Sequence, residues 1–438
     1  MVDAQRLASG PAAADFADAR RIRAIFIGSV GNLVEWYDFY AYTAFSLYFA
    51  ASFFPKSDPV TQQLDAAVVF MLSFLARPLG AWFFGAYADR HGRRKSLMLS
   101  VAMMCFGSLL IAAAPTRDMV GIWATILLYA ARIIQGVSLG GEYGASAAFV
   151  SEAAGTARRG FYSSFLYVTL IGGQLVAVLV LLALQKVFLS DEQLRSWGWR
   201  IPFLIGALLS VIAAVMRSHL PESPAFAQGG GKPRPSFWAF LGYPRETLLV
   251  IGMTMGGTAA FYTYTTYMQT FLKLSVKLPD EQTTLVTAGS LLFAIVLQPI
   301  YGALSDRIGR KPLLIGFGVA GVLFTVVLLD ALQNAKDAWT AFLLIAVAWL
   351  IVSGYTAINA VVKAELFPTS VRATGIAVPY ALTVSVFGGT APSIALFFKQ
   401  QGHEAWFAIY LTICIAVSLA VYVFMRDTAK TSAMARYD

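Results

Sequence analysis

The chain has 438 residues, 58% of them hydrophobic and 13% charged, with a mean hydropathy of +0.65. Soluble domains carry roughly 25% charged residues, so a water-soluble globular protein is excluded. The net charge of +9 is therefore a question of which side of a membrane the Lys and Arg occupy, and no nucleic-acid partner is expected.

Residues 1–23 are polar and Ala-rich. Arg20, Arg21 and Arg23 precede the first apolar run with no small-residue cleavage pattern after it, which reads as an N-terminal tail leading into an uncleaved signal anchor. Apolar runs then predict helical spans at 24–52, 65–88, 96–115, 120–146, 162–188 and 200–219. Pro221 to Glu246, with Gly229-Gly230-Gly231-Lys232-Pro233-Arg234-Pro235, reads as a linker. Six more spans follow at 247–271, 284–304, 313–332, 339–362, 374–398 and 405–425, and a tail covers 426–438. The runs are continuous, unlike the alternation of about ten residues that marks a transmembrane barrel strand. The fold expected is an all-α membrane protein with two six-helix bundles, 24–220 and 247–425, joined by the 221–246 linker. Of the 33 Lys and Arg, 22 fall on the side of the termini and 9 on the other, with Arg77 and Arg132 inside spans. The positive-inside rule puts both termini in the cytoplasm.

Two internal matches mark a duplication. Gly85, Asp89, Arg90, Gly92 and Arg93 recur as Gly302, Asp306, Arg307, Gly309 and Arg310, and Glu152 with Arg159 recurs as Glu365 with Arg372. The offsets, 217 and 213, are each about half the chain, which predicts pseudo-symmetric halves with a binding site between them. Glycines at such positions let helices approach closely, and charges at helix ends can make and break ion pairs as the halves rock. These residues are the candidate conformational gate.

The duplicated loop, Arg132-Ile133-Ile134-Gln135-Gly136 and Leu220-Pro221-Glu222-Ser223 resemble motifs of the major facilitator superfamily. Within it, Gly31 to Tyr40 (Gly-Asn-Leu-Val-Glu-Trp-Tyr-Asp-Phe-Tyr), Arg77-Pro78-Leu79-Gly80, Gly140-Gly141-Glu142-Tyr143 and Gly198 to Phe203 resemble the metabolite:proton symporters, along nearly the whole chain. Tyr167 to Leu175, Phe261 to Gln269 and Lys363-Ala364-Glu365 are similar to the branch that carries α-ketoglutarate. The resemblance implies twelve transmembrane helices, alternating access and proton-coupled uptake of α-ketoglutarate or a related dicarboxylate. It further implies a bacterial inner membrane, lipid contacts and a monomeric transport unit. Citrate, an osmolyte such as betaine or proline, or another organic acid is the same-fold alternative, and a sensor that binds without transporting is the alternative of another class.

Ionisable residues inside spans are costly and are functional candidates by default. Glu35 and Asp38 share a face of the first span with Tyr42, and two carboxylates that close repel. The resemblance implies that Asp38 pairs with Arg132 and that protonation breaks the pair; Glu35 joins them as a candidate for proton coupling. Arg77 lies too deep to snorkel and can grip a carboxylate with two hydrogen bonds, or instead pair with Glu35 or Asp38. Tyr42, Gln174, Tyr262, Tyr267 and Asn359 supply hydroxyls and amides able to orient an anion, and Lys363 is placed either just below the site or, in preference, at the cytoplasmic interface. Asn32 and the glycines beside Gln174 suit helix packing equally well. Cys105 and Cys414 lie in apolar spans, so no disulfide framework is expected, and two Cys with three His offer no zinc spacing. A nucleophile, His and acid cluster and phosphate-cradling loops are lacking, so neither an enzyme nor ATP coupling is expected; the proton gradient takes the place of a cofactor.

Overall fold

The computed structural model describes residues 11–55, 58–91, 93–140, 147, 158–218, 237–368 and 371–431. Side chains within these are described except at 11–31, 85–86, 88–90, 93–94, 97, 216–218 and 237–239. Each predicted span is a helical pass. The first six are Pro11–Phe53, Pro59–Leu75 continued by Arg77–His91, Arg93–Ala113, Ile122–Leu139, Arg159–Ala183 and Ile201–Ser218. The second six are Pro244–Tyr262 continued by Met268–Leu274, Asp280–Ile308, Lys311–Gln333, Ala338–Thr356 continued by Asn359–Leu366, Arg372–Thr383 continued by Ala391–Gln400, and Ala405–Phe424. The first helix already includes Pro11–Ala19, upstream of the expected start near 24, because this stretch is rich in alanine, the strongest helix former.

By length and hydropathy nine spans qualify among the described residues; the first and seventh passes fall short, and the third contributes the apolar stretch Met98–Ala113. In the first and seventh the reason is burial. Nearly every side chain over 34–50 and 253–272 is inside protein, so these helices face neighbours rather than lipid and tolerate polar residues.

The duplication is visible in the packing. Pass 1 packs on 6, 6 on 3, 3 on 4 and 4 on 2; six passes later, 7 packs on 12, 12 on 9, 9 on 10 and 10 on 8. The halves meet where pass 5 runs along 8 and pass 2 along 11, two contacts that the same six-pass shift exchanges. An even number of passes leaves the start of the first pass and the end of the twelfth at one end of the bundle.

Glycines set the closest approaches. A Cβ on Gly136 would stand 2.0 Å from the Ser73 carbonyl oxygen, one on Gly140 2.0 Å from that of Arg77, and one on Gly80 2.0 Å from that of Val137. The second and fourth passes therefore touch backbone to backbone, which places Arg77 and Arg132 side by side. Gly136→Val is expected to lower the thermal unfolding midpoint of the purified protein by several degrees, since overpacking costs about 1–3 kcal/mol. Gly316→Ala, which meets nothing within 4 Å, should leave it unchanged. Equal midpoints for the two variants would refute this packing.

Candidate functional site

Pro78 lacks a backbone donor, and the second pass is accordingly divided at Ala76, with Arg77 opening its second segment. Arg77 is only 5% exposed. Its guanidinium carbon lies 3.8 Å from the ring centroid of Phe74, 4.7 Å from that of Phe39 and 5.0 Å from that of Trp36. The Nε and Nη2 groups have no hydrogen-bond partner. Tyr40 from its own half and Tyr262 from the other stand beside it. Tyr262 meets Phe74 edge to face at 5.0 Å, and its ring fills the space over Gly388 in the eleventh pass. Rings solvate a cation only in part, so this guanidinium keeps donors available for an anion at the boundary of the halves. Arg77 forms no ion pair with Glu35 or Asp38; Glu35 is buried one turn from Asp38.

Arg132, fully buried, shares the Phe39 ring with Arg77, its guanidinium carbon lying 4.4 Å from that ring centroid and 4.3 Å from that of Tyr42. It does not pair directly with Asp38. Its Nη1 donates to Gln135 Oε1 at 2.7 Å, and Gln135 Nε2 donates to Ser108 at 2.7 Å and reaches Asp38 at 3.5 Å. The Ser108 hydroxyl is 2.5 Å from each Asp38 oxygen. Gly206 makes room for the carboxylate, since a Cβ there would stand 2.1 Å from Asp38 Oδ1. Tyr42 belongs to this cluster rather than to Arg77, its hydroxyl donating to the Ala66 carbonyl at 3.0 Å.

Lys363 is not at an interface. It is fully buried in the second segment of the tenth pass, donates to Asn359 Oδ1 at 2.8 Å and lies 4.0 Å from the Tyr380 ring centroid. The tenth pass is broken at Ala357 and Ile358, which turns Asn359 and Lys363 inward on a short separate helix. Gln174 crosses between the halves, its Nε2 donating to the Thr265 carbonyl at 2.8 Å while its Oε1 has no partner. That carbonyl belongs to a π-turn, Thr263–Tyr267, and a second π-turn, Val384–Gly388, interrupts the eleventh pass. Tyr267 points away from Arg77 and packs on Phe271 and Phe407, with Ser275 beside its hydroxyl. Asn32 and Gly173 are packing groups: Asn32 donates to Thr169 at 2.7 Å, and a Cβ on Gly173 would lie 2.6 Å from the Leu33 carbonyl oxygen.

The gate candidates divide. The side chains of Asp89, Arg90 and Arg93, residue Gly92, the surroundings of Gly85 and residue Glu152 lie outside the described residues. In the second half, Asp306 accepts from the backbone N–H groups of Gly160 and Phe161 at 2.8 and 2.9 Å, capping the fifth pass across the boundary between halves. Arg310 pairs with Asp306 at 2.8 Å and Glu365 at 3.4 Å, and Glu365 also accepts from Thr428 at 2.6 Å. Arg372 donates to the carbonyls of Ala364 and Phe367, where the tenth pass ends. Arg159 is buried, Arg307 exposed, and Gly302 packs on Gly160. Gly309 has φ +93, a conformation that explains the glycine in the repeat.

At the opposite end the halves are also joined. Lys186 pairs with Glu281 at 2.6 Å, Arg195 with Asp280 at 3.0 Å, and Gln400 donates to Thr61 at 2.8 Å. Between Tyr42, Gln63, Phe70, Thr266, Thr270 and Leu396 lies a narrow crevice with room for about one water. Among the described residues no three His, Cys, Asp or Glu come together as metal ligands.

The far-end pairs are solvent-exposed, each contributing about 0.2–1 kcal/mol. Glu281→Lys is expected to raise labelling of a cysteine introduced at Thr270, in a background lacking Cys105 and Cys414, by about two- to fivefold. Adding Lys186→Glu should reverse the increase. A labelling rate indifferent to both changes would mean that this contact does not hold the end shut.

Comparison with known proteins supplies the remaining facts. Residues 24–234 and 231–435 each match the sugar (and other) transporter family. The chain is 46% identical over 411 residues to the α-ketoglutarate permease of Escherichia coli (strain K12), covering 94% of this chain and 95% of that one. It is 31% identical to the proline/betaine transporter of the same strain, over 94% of this chain and 85% of the relative. Among solved structures, the proton:xylose symporter XylE bound to 6-bromo-6-deoxy-D-glucose superposes with a TM-score of 0.77 at 17% identity, covering 96% of this chain and all of that one. The inward-open form of XylE from E. coli superposes with a TM-score of 0.65 at 17% identity, covering 94% and 98%.

Proposed function

The chain belongs to the sugar (and other) transporter family of the major facilitator superfamily, and from that premise we propose that it is a proton-coupled symporter taking up α-ketoglutarate or a related dicarboxylate. The observation that carries the proposal is Arg77, a buried cation at the meeting of the halves with two donor groups unmet. A guanidinium in that state is matched by a carboxylate, which accepts two parallel hydrogen bonds and neutralises the buried charge. Tyr262 and Tyr40 border the same spot, and Lys363 with Asn359 provides a second buried cation in the other half. One cation per half suits a ligand with an anionic group at each end, and a dianion bridging them would draw the halves together. Gln174, with its free carbonyl oxygen, and the Tyr42 crevice complete the set of substrate contacts. Tyr267 contributes through packing.

Asp38 and Arg132 carry the proton coupling, with Glu35 beside them. A proton on Asp38 removes one charge from the network that ends at Arg132, and Arg132 shares the Phe39 ring with Arg77. Substrate and proton thus act on two cations that share one side chain. The capping of the fifth pass by Asp306 and the Arg310–Glu365 pair form the gate at the terminal end. The Lys and Arg bias supports placing that end in the cytoplasm, across a bacterial inner membrane. The working unit is one chain of two bundles, 24–220 and 247–425, in lipid, and the transmembrane proton gradient drives it without a cofactor. The relatives that carry proline and betaine favour one second reading, a zwitterion carrier, because Arg77 alone fits a single carboxylate.

Proteoliposomes loaded at high internal pH are expected to accumulate labelled α-ketoglutarate, and an uncoupler should collapse the gradient. Arg77→Ala should lower uptake at least tenfold, as loss of a buried charged hydrogen-bond pair of about 1.5–3 kcal/mol requires, and Arg77→Lys should not restore it. Competition by betaine or proline but not by succinate would instead establish the zwitterion reading. A dianion accompanied by one proton moves charge against about 2.3 kcal/mol per 100 mV. The two carboxylates of the first pass therefore lead to an expectation of two protons per substrate; reversal potentials that give one would exclude it.

A further inference from the structure

The third and fourth passes contain a group for which helical periodicity assigns no task. Gln135 is fully buried and its stem lies in the groove over Gly107, where a Cβ would stand 2.6 Å from Gln135 Cγ. Its amide orientation follows from chemistry. A guanidinium can only donate, so the oxygen faces Arg132 Nη1 at 2.7 Å, and the nitrogen is left to donate to Ser108 at 2.7 Å. Ser108, also fully buried, then has its own hydrogen free for Asp38, whose oxygens are 2.5 Å away. The result is a one-way chain of donors from a cation to a carboxyl group: Arg132 to Gln135 to Ser108 to Asp38.

We propose that Ser108 and Gln135 are positioning residues that transmit the charge state of Asp38 to Arg132 across the first, third and fourth passes. The inference rests on the proton-coupled reading above and assigns it two residues beyond the carboxylate and the guanidinium. Each link has a single polarity. An ionised Asp38 accepts from Ser108, which fixes Ser108 as acceptor from Gln135 and Gln135 Oε1 as acceptor from Arg132. A protonated Asp38 donates to Ser108, whose own hydrogen then turns away, and the negative charge that held the Ser108 and Gln135 donors in line is lost. Any turn of Gln135 releases Arg132 Nη1, whose other acceptor is the Phe39 carbonyl at 3.4 Å. Phe39 is the ring that Arg132 and Arg77 share, so the chain ends beside the proposed substrate cation.

The titratable and charged groups around Asp38 are few. The third pass offers Cys105, whose thiol donates to the Ala207 carbonyl at 3.6 Å, and the fourth offers Arg132. The second offers Arg77, which shares the Phe39 ring with Arg132. The sixth presents Gly206 at the carboxylate, and Tyr37, on the helix of Asp38, donates to the Pro202 carbonyl at 3.0 Å. Glu35 and Tyr42 share the helix of Asp38. None of these except Arg132 is linked to Asp38 through the amide.

The test reads Asp38 directly. The infrared carboxyl band that disappears in Asp38→Asn is followed against pH in purified wild type, Ser108→Ala, Ser108→Thr and Gln135→Met. Removing a donor from the ionised form favours the protonated one, so Ser108→Ala and Gln135→Met should each move the band's midpoint about one pH unit to the alkaline side. Ser108→Thr, which keeps the hydroxyl, should return it towards wild type. In proteoliposomes, both changed variants should show a lower ratio of α-ketoglutarate accumulation to counterflow, with KM for counterflow near the wild-type value. An unmoved midpoint in folded Ser108→Ala and Gln135→Met overturns the relay, as does a raised KM with an unchanged pH profile. A wild type that does not accumulate substrate would overturn the coupled-transport reading, while the infrared midpoint would still decide the relay.

Discussion

Two guanidinium groups buried against one phenylalanine ring are the constraint to which much of the first half is built. Moving a charge out of water is expensive, and two like charges that share Phe39 also repel. The structure compensates each differently. Arg132 is given Gln135, Ser73 and the Phe39 carbonyl as acceptors, with Asp38 at second hand. Arg77 is given Trp36, Phe39 and Phe74, which offer ring faces in place of hydrogen bonds. The first cation therefore has acceptors for both of its Nη groups and only Nε unmet, whereas the second lacks them at Nε and Nη2, the two donors that the proposed substrate carboxylate would fill. That asymmetry separates a coupling group from a binding group without any difference in residue type.

Holding the two cations at this spacing requires the second and fourth passes to be in backbone contact, which is why Gly80, Gly136 and Gly140 face carbonyl oxygens at distances no side chain could occupy. The boundary between halves is built in the opposite way. Besides the close approaches of Gly160 to Gly302 and of Gly389 to Phe74 and ring contacts such as Phe74 with Tyr262, it is crossed by polar links that can be exchanged: Asp306 to the start of the fifth pass, Gln174 to the Thr265 carbonyl, and Lys186 and Arg195 to Glu281 and Asp280. Bundles that are rigid inside and joined by replaceable contacts can rock as units. The π-turns in the seventh and eleventh passes lie next to Tyr262, where such rocking would be felt first.

Much of this was legible in the sequence. The twelve passes follow from apolar runs, the duplication from two in-register matches, and Arg77, Arg132 and Asp38 from the cost of charge inside a span. Periodicity placed Glu35, Asp38 and Tyr42 on one face. It could not say which helix that face meets, and Tyr42 stands under Arg132, not Arg77. The tyrosines of the seventh pass show the same limit: Tyr262 reaches Arg77 while Tyr267, five residues on, is turned to Phe407 by the π-turn between them. Gln135 carried a signal, being three residues from Arg132 on the same helix, as did Ser108, a polar residue in an apolar span.

The sequence by itself determined the class of protein, the number and order of passes, the symmetry of the halves and the short roster of buried charges, because hydropathy and intramembrane charge are properties of single residues and their spacing. Only the tertiary structure decided which charges are satisfied. Lys363 is buried instead of snorkelling because a break in the tenth pass turns it inward. Asp38 reaches Arg132 through an amide and a hydroxyl from two further helices. Those outcomes depend on the rotation and offset of one helix against another, and that relation is set by packing across the whole bundle rather than by any local run of residues.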